Sequence, residues 1–222
     1  RFGCPSVAQI GMGVGAGAGS HRISYGNPVK KERDILRAFE LGIRLFAIDC
    51  VEEAEKIGRV APGSKVFCRV LTDGEGAEWP LSRKFGCAPS MAIDVLRHAK
   101  ALNLTPSGVS FHVGSQQVNL DAWDRALADA KMVFATLAEE GIVLGLVNMG
   151  GGFPTRYLKD VPSAQAYGQA IFGYLRKHFG NVLPETIIEP GRGMVGNAAT
   201  IKTEVVLISK NADNDNQRWV FT

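Results

Sequence analysis

The chain has 222 residues, 45% of them hydrophobic and 21% charged, with a formal net charge of +3. These values describe an ordinary globular protein with one large domain or two small ones, and no apolar run approaches the ~20 residues that a bilayer-spanning helix needs. The densest cationic group, Lys30, Lys31 and Arg33, is interleaved with Glu32 and Asp34, so a solvated helix face is expected, with neither nucleic acid nor membrane as a partner.

The four cysteines (Cys4, Cys50, Cys68, Cys87) lack CxxC spacing. Free thiols in a reducing cytoplasm are expected, and no zinc site. The start, Arg1-Phe-Gly-Cys-Pro5, has no initiator Met and no basic-then-apolar leader, so the chain reads as an internal stretch of a longer cytoplasmic protein.

Residues 11–20 alternate glycine with small residues where the order of elements calls for a helix. Each glycine costs about 1 kcal/mol relative to alanine in a helix. A phosphate loop of the GxGxxG type is one reading, but no convincing strand precedes it, so a flexible stretch is expected.

From residue 22, strands and helices alternate. The strands expected are Arg22–Gly26, Leu45–Asp49, Val66–Val70, Val109–Val113, Leu146–Met149 and Thr186–Glu189, mostly short apolar runs suited to burial on both faces. The helices between them are Lys30–Leu41, Val51–Val60, Ser90–Leu102, Leu120–Glu140 and Ala164–Phe179. In the helix 120–140, Ala126, Ala130, Val133 and Leu137 form one stripe. Asn119 and Asp49 are expected to cap the helices that follow them, and Gly42, Gly141 and Gly180 to end helices. Trp123, Phe134 and Tyr174 are expected to be packing residues.

Serial strand–helix steps argue for a parallel sheet, and eight of them close a (β/α)8 barrel. Six leave two unpaired edges, so residues 1–199 are expected to be an α/β barrel domain lacking its first strands. After residue 200 a Val/Ile/Thr-rich run to Ser209, a polar turn over 210–217 and a strand Arg218–Phe221 read as a hairpin opening an antiparallel β-domain over 200–222.

Three motifs follow apolar strands, and in such folds sites lie at the C-terminal strand ends. His112-Val-Gly-Ser115 offers an imidazole and a hydroxyl on an open turn; the alternative is a structural histidine. Gly150-Gly151-Gly152 can turn backbone N–H groups toward an anion; the alternative is a tight turn. Glu189-Pro190-Gly191-Arg192 places an acid beside a guanidinium. Arg192 can clamp a phosphate and Glu189 can accept from a ring N–H; the alternative is an internal Glu–Arg pair. Together they suit an anionic, planar, nitrogen-containing cofactor. The other strand ends offer Asn27, Asp49, Arg69 and Lys84.

His112-Val-Gly-Ser-Gln116, Gly150-Gly-Gly-Phe-Pro154, Glu189-Pro-Gly-Arg192 and Ser82-Arg-Lys-Phe-Gly86 resemble the pyridoxal-phosphate decarboxylases with the alanine-racemase-like TIM-type barrel. Tyr25-Gly-Asn-Pro-Val-Lys30 and Trp79-Pro-Leu-Ser-Arg-Lys-Phe-Gly86 narrow the resemblance to ornithine/lysine decarboxylases, with the short bacterial ornithine enzymes most alike. It covers residues 22–222, and 1–21 more weakly. It implies pyridoxal 5'-phosphate as cofactor, a basic amino acid as substrate (L-ornithine to putrescine and CO2) and a homodimer with shared active sites. His112 would stack on the cofactor ring and Glu189 would pair with its nitrogen, these two being the catalytic positions. Ser115, Gly150, Gly151, Gly152, Gly191 and Arg192 would bind the cofactor, and no metal is implied.

The resemblance also marks departures. The lysine to which the family attaches its cofactor would lie upstream of residue 1, and the substrate-binding groups of the C-terminal domain beyond Thr222. Gly3 and Gln9 stand where the family has acids, and Asn148 where it often has Asp. A decarboxylase-like regulator without catalysis is therefore a second expectation, and a racemase or cofactor carrier a third.

Overall fold

Short strands with large apolar residues on both faces can be buried only by neighbours on every side, and that is how they are arranged. The structure is a computed structural model and describes every residue except Ser82, Arg83, Asn214 and Asp215. The first two residues of the Ser82–Gly86 motif and the middle of the 210–217 turn therefore lie outside the described residues. Strands β1 (Phe2–Cys4), β2 (Ile23–Tyr25), β3 (Leu45–Ile48) and β4 (Lys65–Arg69) alternate with helices α1 (Val7–Gly15), α2 (Glu32–Glu40) and α3 (Val51–Val60). Then come β5 (Ala77–Trp79), α4 (Pro89–Ala101), β6 (Thr105–Ser110), β7 (Ser115–Gln117), α5 (Asp121–Glu139), β8 (Leu146–Asn148), α6 (Ala164–Phe179), β9 (Glu185–Ile187) and α7 (Gly191–Val195). A ribbon of β10 (Leu207–Ser209) and β11 (Trp219–Phe221) ends the chain.

One seven-stranded sheet runs β1-β2-β3-β4-β6-β8-β9, every pair parallel. Six strands of this sheet are those read from the sequence; the seventh, β1, was not expected. Flat, the seven would set β1 and β9 roughly 29 Å apart. Instead Arg1, beside β1, forms an ion pair with Glu185 of β9, so the sheet curls until its edges face each other across a seam. The core agrees. Phe46, Ile48, Val66, Cys68 and Val147 join the helices in one cluster, while their alternates Leu45, Ala47, Phe67, Leu146 and Ile187 form a second cluster inside the curl. Period-two alternation filling two cores is the pattern of a TIM-type barrel.

The expectation of a flexible stretch over 11–20 is wrong in its first half. The helix α1 extends to Gly15. Ser6 caps it by accepting from the amide of Gln9 at 3.4 Å, and Ile10 is fully buried. A Cβ at Gly13 would already lie 3.3 Å from Ile23 Cδ1, so glycine lets the helix sit close on β2. Packing overrides propensity here, and a strand does precede the helix.

The caps are mixed. Gly42, Gly141 and Gly180 all have positive φ after helices, as expected. Asn119 Oδ1 accepts from the amide of Asp121 at 3.0 Å, but the N-cap position of α5 is Leu120, one residue later than expected. Asp49 does not cap α3; its Oδ2 accepts instead from the amide of Gly86 at 2.9 Å, tying the end of β3 to the loop after β5. Trp123 is fully buried against Phe153 and Tyr167. All four cysteines are free thiols. The terminal ribbon is antiparallel, but its first strand is confined to Leu207–Ser209. Among the described residues no helix is long and apolar enough to cross a membrane.

Candidate functional site

The three motifs converge at the C-terminal ends of β6, β8 and β9, which are consecutive in the sheet. His112 lies just beyond β6, where Thr72 Oγ1 donates to its carbonyl at 2.7 Å. The amide of Gly114 donates to its Nδ1 at 3.1 Å, which assigns the ring proton of the neutral imidazole to Nε2. Burial, reinforced by the nearby Arg69 guanidinium, lowers the His112 pKa to about 4. The ring is thus a flat, uncharged surface at neutral pH.

Gly150 opens the glycine turn with φ +64, and a Cβ there would overlap the carbonyl of Phe111. A Cβ on Gly151 would come within 2.6 Å of the Glu189 carbonyl and 3.1 Å of His112 Nε2. The glycines therefore let β8, β9 and the imidazole meet with nothing between them. Glu189 follows β9, and its amide donates to the Gly150 carbonyl at 2.7 Å. Its carboxylate accepts from Asn148 Nδ2 at 3.1 Å, while Asn148 Oδ1 accepts from the amide of Gly150 at 3.0 Å. One buried amide side chain thus links acid and cradle. The carboxylate also takes the space that a Cβ at Gly3 would need, so Gly3, the middle residue of β1, belongs to the site.

Arg192 does not pair with Glu189; its Nε donates to Ser115 Oγ at 2.9 Å and its Nη1 to the Tyr157 hydroxyl at 3.0 Å. Ser115 is the first residue of β7, so its hydroxyl sits on a paired strand rather than the open turn expected. A Cβ at Gly191 would meet nothing within 4 Å beyond its chain neighbours and its own helix backbone, so this position faces open space. Tyr157 and the bridging role of Asn148 escaped the sequence reading, in which Gly3 and Asn148 figured only as departures from the family. Arg69 stood among the strand ends but unassigned. It lies where its charge acts on both His112 and Glu189, and burial lowers its pKa.

The donor set suits a planar phosphorylated pyridine: guanidinium and hydroxyls for an anion, a carboxylate for a ring N–H, a neutral imidazole for a ring face. The first lysine in the chain, Lys30, cannot supply a covalent attachment. Its Nζ is buried, donates to the carbonyls of Asn27, Pro28 and Ala47, and is ion-paired with Glu53.

The geometry agrees with known proteins. Residues 1–196 match the family described as pyridoxal-dependent decarboxylase, pyridoxal binding domain. A chloroplastic ornithine decarboxylase of Nicotiana glutinosa is 35% identical over 210 residues, 93% of this chain and 47% of the relative. Antizyme inhibitor 2 of Xenopus laevis is 31% identical over 232 residues, 99% of this chain and 50% of the relative. The solved lysine decarboxylase of Selenomonas ruminantium superposes with a TM-score of 0.83 at 29% identity, over 99% of this chain and 57% of that one. The chain thus spans about half the length of the curated relatives it matches. It belongs to the pyridoxal-dependent decarboxylases and covers their pyridoxal-binding domain.

Proposed function

We propose that this chain is the cofactor-binding part of a cytoplasmic decarboxylase of a basic amino acid, with L-ornithine as substrate and putrescine and CO2 as products. The observation that carries the reading is the convergence of His112, Ser115, Gly150–Gly152, Glu189 and Arg192 on three adjacent strand ends. Resemblance to an ornithine decarboxylase favours ornithine over lysine or arginine. In this reading residues 1–199 form the barrel domain, and the β10–β11 ribbon opens a second domain over 200–222. Two copies share active sites.

Pyridoxal phosphate, when bound, supplies an electron sink for the pair left on the substrate carbon when CO2 departs. The protein's part is binding and electrostatics. Arg192 and Ser115 hold the phosphate, with Gly150–Gly152 and Gly191 leaving room for it. Glu189 accepts a hydrogen bond from the ring nitrogen and so favours its protonated form. Asn148 keeps that carboxylate from turning away, and the uncharged His112 covers a ring face without competing for Glu189.

The test is CO2 release by the complete protein with pyridoxal phosphate and each of ornithine, lysine, arginine and diaminopimelate. Turnover of ornithine above the others is expected, and failure with all four sinks the enzyme reading. A second reading, a regulator without catalysis, has two observations behind it: the likeness to antizyme inhibitor 2 and the neutral residues Gly3 and Gln9. Tight pyridoxal phosphate binding that depends on Arg192 counts against it.

A further inference from the structure

The sequence presents Trp79 only as the first residue of a motif, yet the structure places its ring under the guanidinium of Arg192, 4.6 Å from Cζ to the ring centroid. We propose that Trp79 and Tyr157 are positioning residues that hold Arg192 as a preset clamp for a phosphate monoester. This rests on reading the site as one for pyridoxal phosphate.

Arg192 is a flexible cation three residues after Glu189, and that acid is its nearest ion-pair partner in the sequence. It is held away by neutral groups on three separate segments. Ser115 and Tyr157 accept from Nε and Nη1, and the Trp79 ring offers its negative face. None of the three cancels the positive charge. Among the described residues two of its five N–H donors are engaged, which leaves the rest of the fork for an anion. A carboxylate partner would have held the side chain as well but quenched its charge.

The ring is presented by a braced backbone. Strand β5 pairs antiparallel with β7, and Trp79 lies directly opposite Ser115 in the register. Gln117 Nε2 donates to the carbonyls of Glu75 at 2.9 Å and Val113 at 2.8 Å. Gly114 has φ +96, and a Cβ on it would overlap Ala77. Trp79 is 47% exposed, so little of its surface is used for core packing, while its ring face is used on Arg192. A dianion with three oxygens can meet guanidinium and hydroxyl donors arriving from different sides; a planar carboxylate needs only the fork.

The experiment measures binding of pyridoxal phosphate, pyridoxal and inorganic phosphate to the complete protein and to W79A, W79F and Y157F. W79A is expected to weaken pyridoxal phosphate and inorganic phosphate about tenfold each, leaving pyridoxal within about twofold. W79F, which keeps an aromatic face, should stay within about threefold, and Y157F should lose about threefold on the two phosphates alone. Pyridoxal serves to separate the cofactor phosphate from a pocket effect, and inorganic phosphate shows whether the anion alone is recognised. Equal loss for pyridoxal and pyridoxal phosphate, or no loss in either W79A or Y157F, overturns the inference. If W79A does not fold, Y157F and W79F still decide it. Wild-type protein that binds no phosphate probe overturns this inference and the cofactor reading together; wild-type binding with unchanged variants overturns the inference alone.

Discussion

The β8 side of the site and the β9 side are built from similar short apolar strands, yet one is buried and the other half open. All three residues of β8 are buried, whereas in β9 only Ile187 is. Strand β8 is paired with β6 and β9; among the described residues β9 is paired only with β8. Beyond β9 the apolar residues Ile188, Met194 and Val195 are exposed, and the first two, with α6, border a groove of about 410 Å³ also lined by Phe153, Tyr167 and Ile171. Burial in a parallel sheet comes from neighbours as much as from composition. The glycine cradle is therefore fixed by packing, while Glu189 and Arg192 are fixed by a few hydrogen bonds.

The largest test of that contrast exchanges the same residue type on the two sides. Gly150→Ala places a Cβ against the Phe111 carbonyl at φ +64, and should cost about 2–4 kcal/mol from strain and overpacking. Gly191→Ala meets nothing within 4 Å and should stay within about 0.5 kcal/mol. Urea denaturation of both variants measures the difference. Equal costs would mean that the two sides are packed alike.

Asn148 joins the sides, and its removal should rank next. Asn148→Ala strips the partner from the buried Gly150 amide and from Glu189 together, a loss of about 1–3 kcal/mol. Asn148→Asp keeps the acceptor for Gly150 but faces one carboxylate with another. Its stability should therefore approach wild type as pH falls low enough to protonate one of them. A pH-independent deficit in N148D would show that the Asn148–Glu189 contact carries no weight.

This contrast also explains what could be read from the sequence. Strand β3 is a continuous apolar run, β4 and β8 each hold a short one that a polar residue ends, and α3 and α6 begin and end where their periodicity does, because propensity and burial agree there. The misses gather at the seam. In strand β1 Phe2 and Gly3 are exposed and Cys4 alone is buried, so it has no strand pattern of its own. Helix α1 is glycine-rich because it lies close on β2, a tertiary cause invisible to propensity. At the site, His112, Glu189 and Arg192 were legible because chemistry restricts their types and strand ends restrict their places. Tyr157 and the Trp79–Arg192 stack were not, since both depend on where the β5–β7 ribbon and the loop after β8 come to rest.

A pH titration sharpens the comparison through His112. Its folded pKa is lowered from the usual 6.5 to about 4, so the unfolded chain binds the proton first as pH falls. The stability held by the neutral ring is complete above about pH 6.5 and is lost progressively toward pH 4. In His112→Gln the amide oxygen can still accept from Gly114, but nothing titrates. The difference in urea midpoint between wild type and this variant should therefore change across pH 4–6.5 and be flat above it. A difference that does not change in that window would place His112 in solvent rather than in the packed half.

The smallest effect belongs to the seam. Arg1 meets Glu185 with two donors, Nη2 lying 2.9 Å from Oε2, and the carboxyl side chain is 48% exposed. Exposed pairs of this kind are worth about 0–1 kcal/mol, and salt screens them. Glu185→Gln should therefore shift the urea midpoint by less than Gly150→Ala or Asn148→Ala does, and 0.5 M salt should erase the difference. A larger, salt-resistant loss would mean that this contact, and not the two hydrophobic cores, keeps the sheet curled, and the edge would then be as fixed as the packed side.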